Sequence, residues 1–307
     1  MDWIAGMQKA IDYIEDHLTD DIDYEAVARE SFSSSYHFQR TFGILCGYTL
    51  GEYIRNRRLS LAGAELASTD AKVIDVALKY GYESPDSFAR AFSKFHGVTP
   101  SEARGNGKML KSFSRLALKI SLEGGNIMDY RIEEKPEMIL TGFKRRFTGT
   151  PENRYEQQRE FHVKTRVNQY LLAGMNYSAK KEGEHSYNIV MNLGDEGFDY
   201  YIAEQLDEWY TDNFAKALCY DEKANEFEKI LIPKQLYVIC ETERIRYPAT
   251  TLPELRRRIV NEWLPSSGYR FADAPEIEHI LWHEIPHPQN NIFMRSIELW
   301  IPVEKDE

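Results

Sequence analysis

Cysteine is scarce in this chain: Cys46, Cys219 and Cys240 are the only three in 307 residues, and no two stand in a CxxC spacing. That scarcity excludes a disulfide-stapled secreted scaffold and a thiolate zinc centre, and it suits a reducing compartment. No apolar run approaches the roughly twenty residues that span a bilayer. Met1-Asp2-Trp3 opens no basic and apolar leader, so a cytoplasmic protein with no membrane partner is expected. The chain also lacks a glycine loop to cradle a nucleotide, a GxSxG elbow and a cluster of Cys and His. With no activated nucleophile, the expectation is no catalytic residue, no metal and no cofactor. One motif speaks against this at first sight, since His283-Glu284-Ile285-Pro286-His287 satisfies HExxH. A zinc peptidase needs a continuous helix to set both imidazoles on one side of the metal. Pro286 and Pro288 forbid that helix, and the stretch reads as a hairpin loop.

What is present is ordinary soluble composition, 42% hydrophobic and 28% charged, enough for two domain cores. The net charge of -11 is unevenly spread. Up to Gly124 there are 15 basic and 17 acidic residues, and after it 23 and 32. Between Arg29 and Lys119 the balance turns to 14 basic against 8 acidic, with Arg55, Arg57 and Arg58 close together. A local basic surface of this kind is what contact with phosphates requires.

The same stretch contains one pattern twice. Val27-Ala28, a turn at Ser34 and Tyr36-His37-Phe38-Gln39-Arg40-Thr41-Phe42 return as Val76-Ala77, a turn at Gly81 and Asp86-Ser87-Phe88-Ala89-Arg90-Ala91-Phe92. Gly47 and Thr49 likewise return as Gly97 and Thr99. The Phe residues of each copy lie four apart and share one helical face, which the preceding short helix must cover. A short helix, a tight turn and a second helix form a unit whose second helix can enter a major groove. The side chains left free of the Phe face are Ser35, Tyr36, Gln39 and Arg40 in one copy, and Asp86, Ser87 and Arg90 in the other, with Ser84 capping that second helix. Gln and Arg read base edges, and Ser and Tyr hold phosphates. Met1 to Leu18, with Ile4, Met7, Ile11, Ile14 and Leu18 at helical spacing, reads as a first bundle helix, and Leu50 to Ala67 as the helix joining the copies.

This stretch closely resembles the AraC/XylS family of transcription regulators. The resemblance is carried by Ala77-Leu78-Lys79-Tyr80-Gly81-Tyr82 through Phe92 and by Gly97-Val98-Thr99-Pro100. It implies an all-α double helix-turn-helix domain, double-stranded DNA as partner and RNA polymerase as a further one. Phe32 stands where the family usually has Gly, at a turn whose left-handed backbone Phe disfavours. Because both reading helices lie in one chain, dimerisation is not required.

Ser101 to Asn126 holds Gly105, Gly107, Gly124 and Gly125, with the alternating Leu116, Leu118, Ile120 and Leu122 between them, and 109–127 reads as a linker with one short extended segment between a domain at 1–108 and another at 128–305. From Met128 onward, strands and helices alternate. Strands at Tyr130 to Glu133 and Met138 to Phe143, a helix over Glu156 to Leu172, and strands at Tyr187 to Leu193 and Phe198 to Ala203 form one set. The order returns at Phe227 to Ile232, Gln235 to Cys240, Leu252 to Leu264, Ile277 to Trp282 and Phe293 to Ile301. Such an internal duplication predicts an α+β domain of two halves about a pseudo-twofold axis, with a cleft for a ligand. Tyr130-Arg131-Ile132-Glu133-Glu134-Lys135-Pro136 and Ile297-Glu298-Leu299-Trp300-Ile301-Pro302-Val303 resemble the ends of the GyrI-like effector-binding domain. The resemblance implies a small-molecule effector, cationic or aromatic, facing an acidic residue on the last strand. Glu298 is the matching position, and alternation sets Ser296, Glu298 and Trp300 on one face. Trp209, Tyr210, Trp263 and Trp282 are candidates for an aromatic wall, since aromatic faces attract cations. Two alternatives stay open: a second domain that modifies or sequesters its ligand, and an adaptor whose acidic half contacts a protein.

Overall fold

The computed structural model describes residues 3–104, 107–118, 127–179, 185–206, 227–285 and 292–306. The chain forms two compact units, Met1–Gln39 with Leu50–Glu123 and Arg40–Thr49 with Gly124–Glu307.

Seven helices make the first stretch: α1 (Trp3–Asp16), α2 (Tyr24–Glu30), α3 (Ser35–Cys46), α4 (Leu50–Ser68), α5 (Val73–Lys79), α6 (Pro85–His96) and α7 (Pro100–Ala103). Their starts are chemically marked. Asp23 accepts from the Glu25 N–H ahead of α2, Ser84 accepts from the Ser87 N–H ahead of α6, and Thr99 with Glu102 makes a reciprocal capping box on α7. Phe88 and Phe92 share the buried face expected of them and pack with Leu59, Leu66, Val76, Ala77 and Tyr80. His96 extends that row, its Nε2 at 2.9 Å from the Leu59 carbonyl and its Nδ1 accepting from the Lys111 N–H. Its ring lies so close to Gly63 that a Cβ there would meet it at 2.6 Å, which explains a glycine in mid-helix.

Both helix-turn-helix copies use the same turn. The Ser33 N–H reaches the Ala28 carbonyl and the Tyr82 N–H reaches the Ala77 carbonyl, each across five residues. The turn needs one left-handed residue, Gly81 at φ +79° in the second copy and Phe32 at φ +55° in the first. The departure at Phe32 therefore leaves the turn's hydrogen bonds in place, with the phenyl ring 66% exposed. A left-handed non-glycine residue costs roughly 1–2 kcal/mol, partly offset by the greater unfolded-state freedom of glycine. Phe32→Gly is expected to stabilise the first unit by about 0.5–1 kcal/mol, readable as a raised midpoint in urea. An unchanged or lowered midpoint would show that the turn is unstrained.

The segment 107–118 does not hang free as a linker. It has no regular secondary structure, yet Arg57 donates to the Phe113 carbonyl, the Phe113 N–H donates to Ser60, and the Leu116 N–H donates to the Tyr53 hydroxyl. Arg115 pairs with Asp12 of α1. These bonds tie the segment to the first unit.

The second unit is built on an antiparallel sheet: β1 (Arg131–Lys135), β2 (Met138–Phe147), β3 (His185–Gly194), β4 (Gly197–Glu204), β5 (Glu228–Ile232), β6 (Gln235–Glu241), β7 (Tyr269–Phe271), β8 (Glu276–Ile285) and β9 (Ile292–Lys305). The strand order is β1-β6-β9-β8-β3-β4-β2-β5, with β7 pairing the end of β9. Read outward from the central β8–β3 pair, β9 and β6 on one side mirror β4 and β2 on the other. The duplication is thus expressed as a pseudo-twofold arrangement, with one feature the strand pattern did not indicate. The leading strand of each half is exchanged, so β1 edges the second half and β5 the first. Where one helix was expected over Glu156 to Leu172, two form, α8 (Tyr155–Lys164) and α9 (Arg166–Ala179), separated at Thr165. The later helical stretch runs from α10 (Leu252–Arg258) through a π turn (Ile259–Trp263) into α11 (Leu264–Ser267).

Each face of this sheet carries a buried cluster. Tyr187, Ile189, Tyr201, Tyr237, Ile239, Ile277 and Trp300 cluster on one. Phe143, Phe147, Val190, Phe198, Tyr200 and Ile202 pack with Phe161 of α8 and Leu172 of α9 on the other.

Candidate DNA-reading and effector-binding sites

On α6 the expected reading surface is open: Ser84, Asp86 and Arg90 are exposed, and Ser87 is half-buried. Ser84 and Ser87 are partly committed to each other, their hydroxyls 3.0 Å apart, and Ser87 also donates to the Ser84 carbonyl. On α3, Ser35, Tyr36 and Gln39 are half-buried, with the Gln39 amide donating to Ser35 at 3.1 Å.

Arg40 departs from the expectation. It is 4% exposed and belongs to the second unit, where it donates to Glu152 at 3.0 Å and pairs with Glu276. Both Glu residues come from beyond residue 150, and no local pattern reveals them. Three guanidiniums, Arg40, Arg154 and Arg256, meet three carboxylates, Glu152, Glu276 and Glu278, in one buried cluster. Arg256 donates to Glu276 at 2.8 Å and to Glu278 at 3.0 Å. Burial alone would raise the Glu276 carboxyl, but the guanidiniums of Arg256, Arg40 and Arg154 prevail and bring it down to about 2. Arg154 goes the other way, lowered to about 10 by burial and by the neighbouring Arg256.

The basic helix α4 is also less free than its composition suggests. Arg57 pairs with Glu15 at 2.7 Å, and Arg58 donates to the Leu18 and Asp20 carbonyls. Of the three arginines, Arg55 is the exposed one.

Glu298 stands on β9 opposite His279 of β8, which stands opposite Tyr187 of β3, so the three share a face. The carboxylate is fully engaged. Oε2 lies 3.0 Å from His279 Nδ1 and accepts from the Trp300 indole N–H at 3.0 Å, while Oε1 accepts from Arg131 at 2.6 Å. Burial pushes this carboxyl up, but bonds from His279, Arg131 and Trp300 bring it down to about 2, so it is ionised at neutral pH. Aromatic rings frame it: Tyr187 stacks on His279 at 4.7 Å, and Tyr237 lies 5.8 Å from Trp300. Tyr237 is fully buried, and its hydroxyl has no hydrogen-bond partner among the described residues.

Trp300 stands beside Glu298, whereas Trp263 and Trp282 do not. Trp263 packs against Tyr130 and Tyr269 beneath the π turn. Trp282 lies on the opposite sheet face, under the guanidinium of Arg295 at 4.4 Å. There it helps line a separate cavity of about 320 Å³ with His162, Asn188 and Glu204. Trp209 and Tyr210 lie outside the described residues. Sequence reasoning missed Arg131, Tyr187, Tyr237 and His279, although Arg131 falls within the segment that carries the GyrI-like resemblance. His283 sits on extended β8, which no zinc-binding helix can include, and the rest of that motif from Pro286 lies outside the described residues. No described helix is long and apolar enough to cross a membrane.

A doubled helix-turn-helix stretch followed by a duplicated sheet domain is the architecture of a DNA-binding regulator with an effector-binding domain. Residues 27–106 match the model of a helix-turn-helix domain, and residues 131–303 match that of the integron-associated effector binding protein. The transcriptional activator AarP of Providencia stuartii is 43% identical over 89 residues, 29% of this chain and 66% of AarP. SoxS of Salmonella typhimurium, a regulatory protein, is 39% identical over 98 residues, 32% of this chain and 92% of SoxS. Among solved structures, SAV2435 bound to tetraphenylphosphonium matches at a TM-score of 0.40 and 14% identity, over 58% of this chain and 94% of that one. The chain belongs to the AraC-type transcription regulators that carry an integron-associated, GyrI-like effector-binding domain.

Proposed function

We propose that this chain is a cytoplasmic transcription switch that reads its operator with α3 and α6 and senses an aromatic cation at Glu298. In this reading Ser35, Tyr36 and Gln39 face one major groove, and Ser84, Asp86, Ser87 and Arg90 face the next, roughly 34 Å along the duplex. Arg40 stands outside this set because its charge is already matched within the buried cluster. Effector binding shifts the population of states that occupy DNA or recruit RNA polymerase, and the second unit binds its effector without converting it.

The observation that carries the effector assignment is the Glu298 carboxylate, half-buried beside the Trp300 indole. A carboxylate in such a place is stabilised by a cation, and indole faces add attraction for the same charge. Glu298→Gln keeps the shape and removes the charge. Titrating the full chain with tetraphenylphosphonium, a rigid aryl monocation, is expected to show at least a roughly tenfold loss of affinity in the variant. Equal affinity for both proteins would overturn the assignment.

A further inference from the structure

We propose that Arg131 is a tethered competitor of the effector: its guanidinium occupies the Glu298 site in the free protein, and a cationic ligand binds by displacing it. The inference rests on the reading of Glu298 as a cation site, and it identifies what that site must exchange. Exchange of the leading strands places β1 beside β6 in the second half, with Arg131 opposite Ile239 and Glu133 opposite Tyr237. Ile239 is in turn opposite Trp300, so Arg131, Glu133 and Lys135 project on the face that carries Trp300 and Glu298.

The two features an aryl cation would use are each already met by a cation of the chain. Arg131 holds Glu298 Oε1 at 2.6 Å, and Lys135 Nζ sits 4.5 Å above the Trp300 ring. The inner oxygen of Glu298 is fixed by His279 and Trp300, both well packed, so Arg131 is the movable partner. Its side chain is 45% exposed, against 13% for Glu298, so the guanidinium approaches from the solvent side. Glu133 already bonds Arg131 at 3.1 Å and Lys135 at 2.6 Å, giving both cations an anion to remain with when the ligand enters. Exchange of one monocation for another leaves the half-buried carboxylate paired throughout. A neutral or anionic molecule of the same shape offers no such exchange, so Arg131 also sets the charge selectivity of the site.

Arg131→Gln, Arg131→Lys and Glu298→Gln are to be compared with the unaltered chain by calorimetric titration with tetraphenylphosphonium and with tetraphenylborate, its anionic counterpart. Arg131→Gln is expected to bind the phosphonium roughly tenfold more tightly. Arg131→Lys keeps the charge and stays within about threefold of the unaltered chain, and tetraphenylborate gains nothing from either change. If Glu298→Gln loses phosphonium binding while Arg131→Gln binds no more tightly than the unaltered chain, displacement is refuted and the cation site stands. An equal gain for Arg131→Lys, or for the borate, would refute it too, because the effect would then be one of space. If Glu298→Gln binds like the unaltered chain, the cation site itself is refuted.

Discussion

Arg256→Ala is expected to destabilise the second unit by about 3–5 kcal/mol, the scale for breaking a buried ion pair from one side. Arg256 is 1% exposed and bonds both Glu276 and Glu278. Its removal leaves three buried carboxylates facing two guanidiniums, with nothing at 1% exposure to let water compensate. The cluster as a whole contributes less than this figure suggests, because desolvating six charges offsets much of their attraction. The cost lies in the imbalance. Urea unfolding followed on the second unit checks it, and a loss below about 1 kcal/mol would mean that the site admits water. The same cluster sets an acid limit. The Glu276 pKa is depressed, so its contribution is fully present above the ordinary carboxylate range and is lost as the pH falls towards about 2.

Phe88→Ala is expected to cost the first unit a similar 3–5 kcal/mol, the usual range for emptying a buried phenylalanine site. Phe88 is fully buried between Tyr82 at 5.2 Å and Phe92 at 5.3 Å, and it anchors the start of α6 against α4 and α5. With total stabilities of roughly 5–15 kcal/mol, a loss of this size leaves little folded reading unit at 37 °C. DNA affinity should fall with it while phosphonium binding by the second unit persists. Retained DNA affinity in a melted first unit would separate reading from the fold assigned to it.

What the sequence made legible was periodic or local. The Phe pairs at four-residue spacing, the cap at Ser84, and the alternation that puts Glu298 beside Trp300 all rest on neighbours a few residues apart. What it hid was decided at long range. Arg40 resembles Arg90 in its local pattern, but Glu276 lies 236 residues away and claims it. Arg131 and Glu298 are 167 residues apart, joined only because β1 crosses to the other half of the sheet. Residue type alone makes Trp263 and Trp282 candidates for the aromatic wall, whereas strand register sends Trp282 to the far face and the helical layer takes Trp263. The strap at 107–118 makes its hydrogen bonds to α4 through backbone N–H and C=O groups that any sequence supplies.

The central claim is that α3 and α6 act as two reading helices of one chain. Hydroxyl-radical footprinting on a fragment selected from genomic DNA by the full chain tests it most directly. Two protected patches on one face of the duplex, about one helical turn apart, are predicted. A single patch on the tightest-bound fragment, or protection without sequence preference, would contradict it.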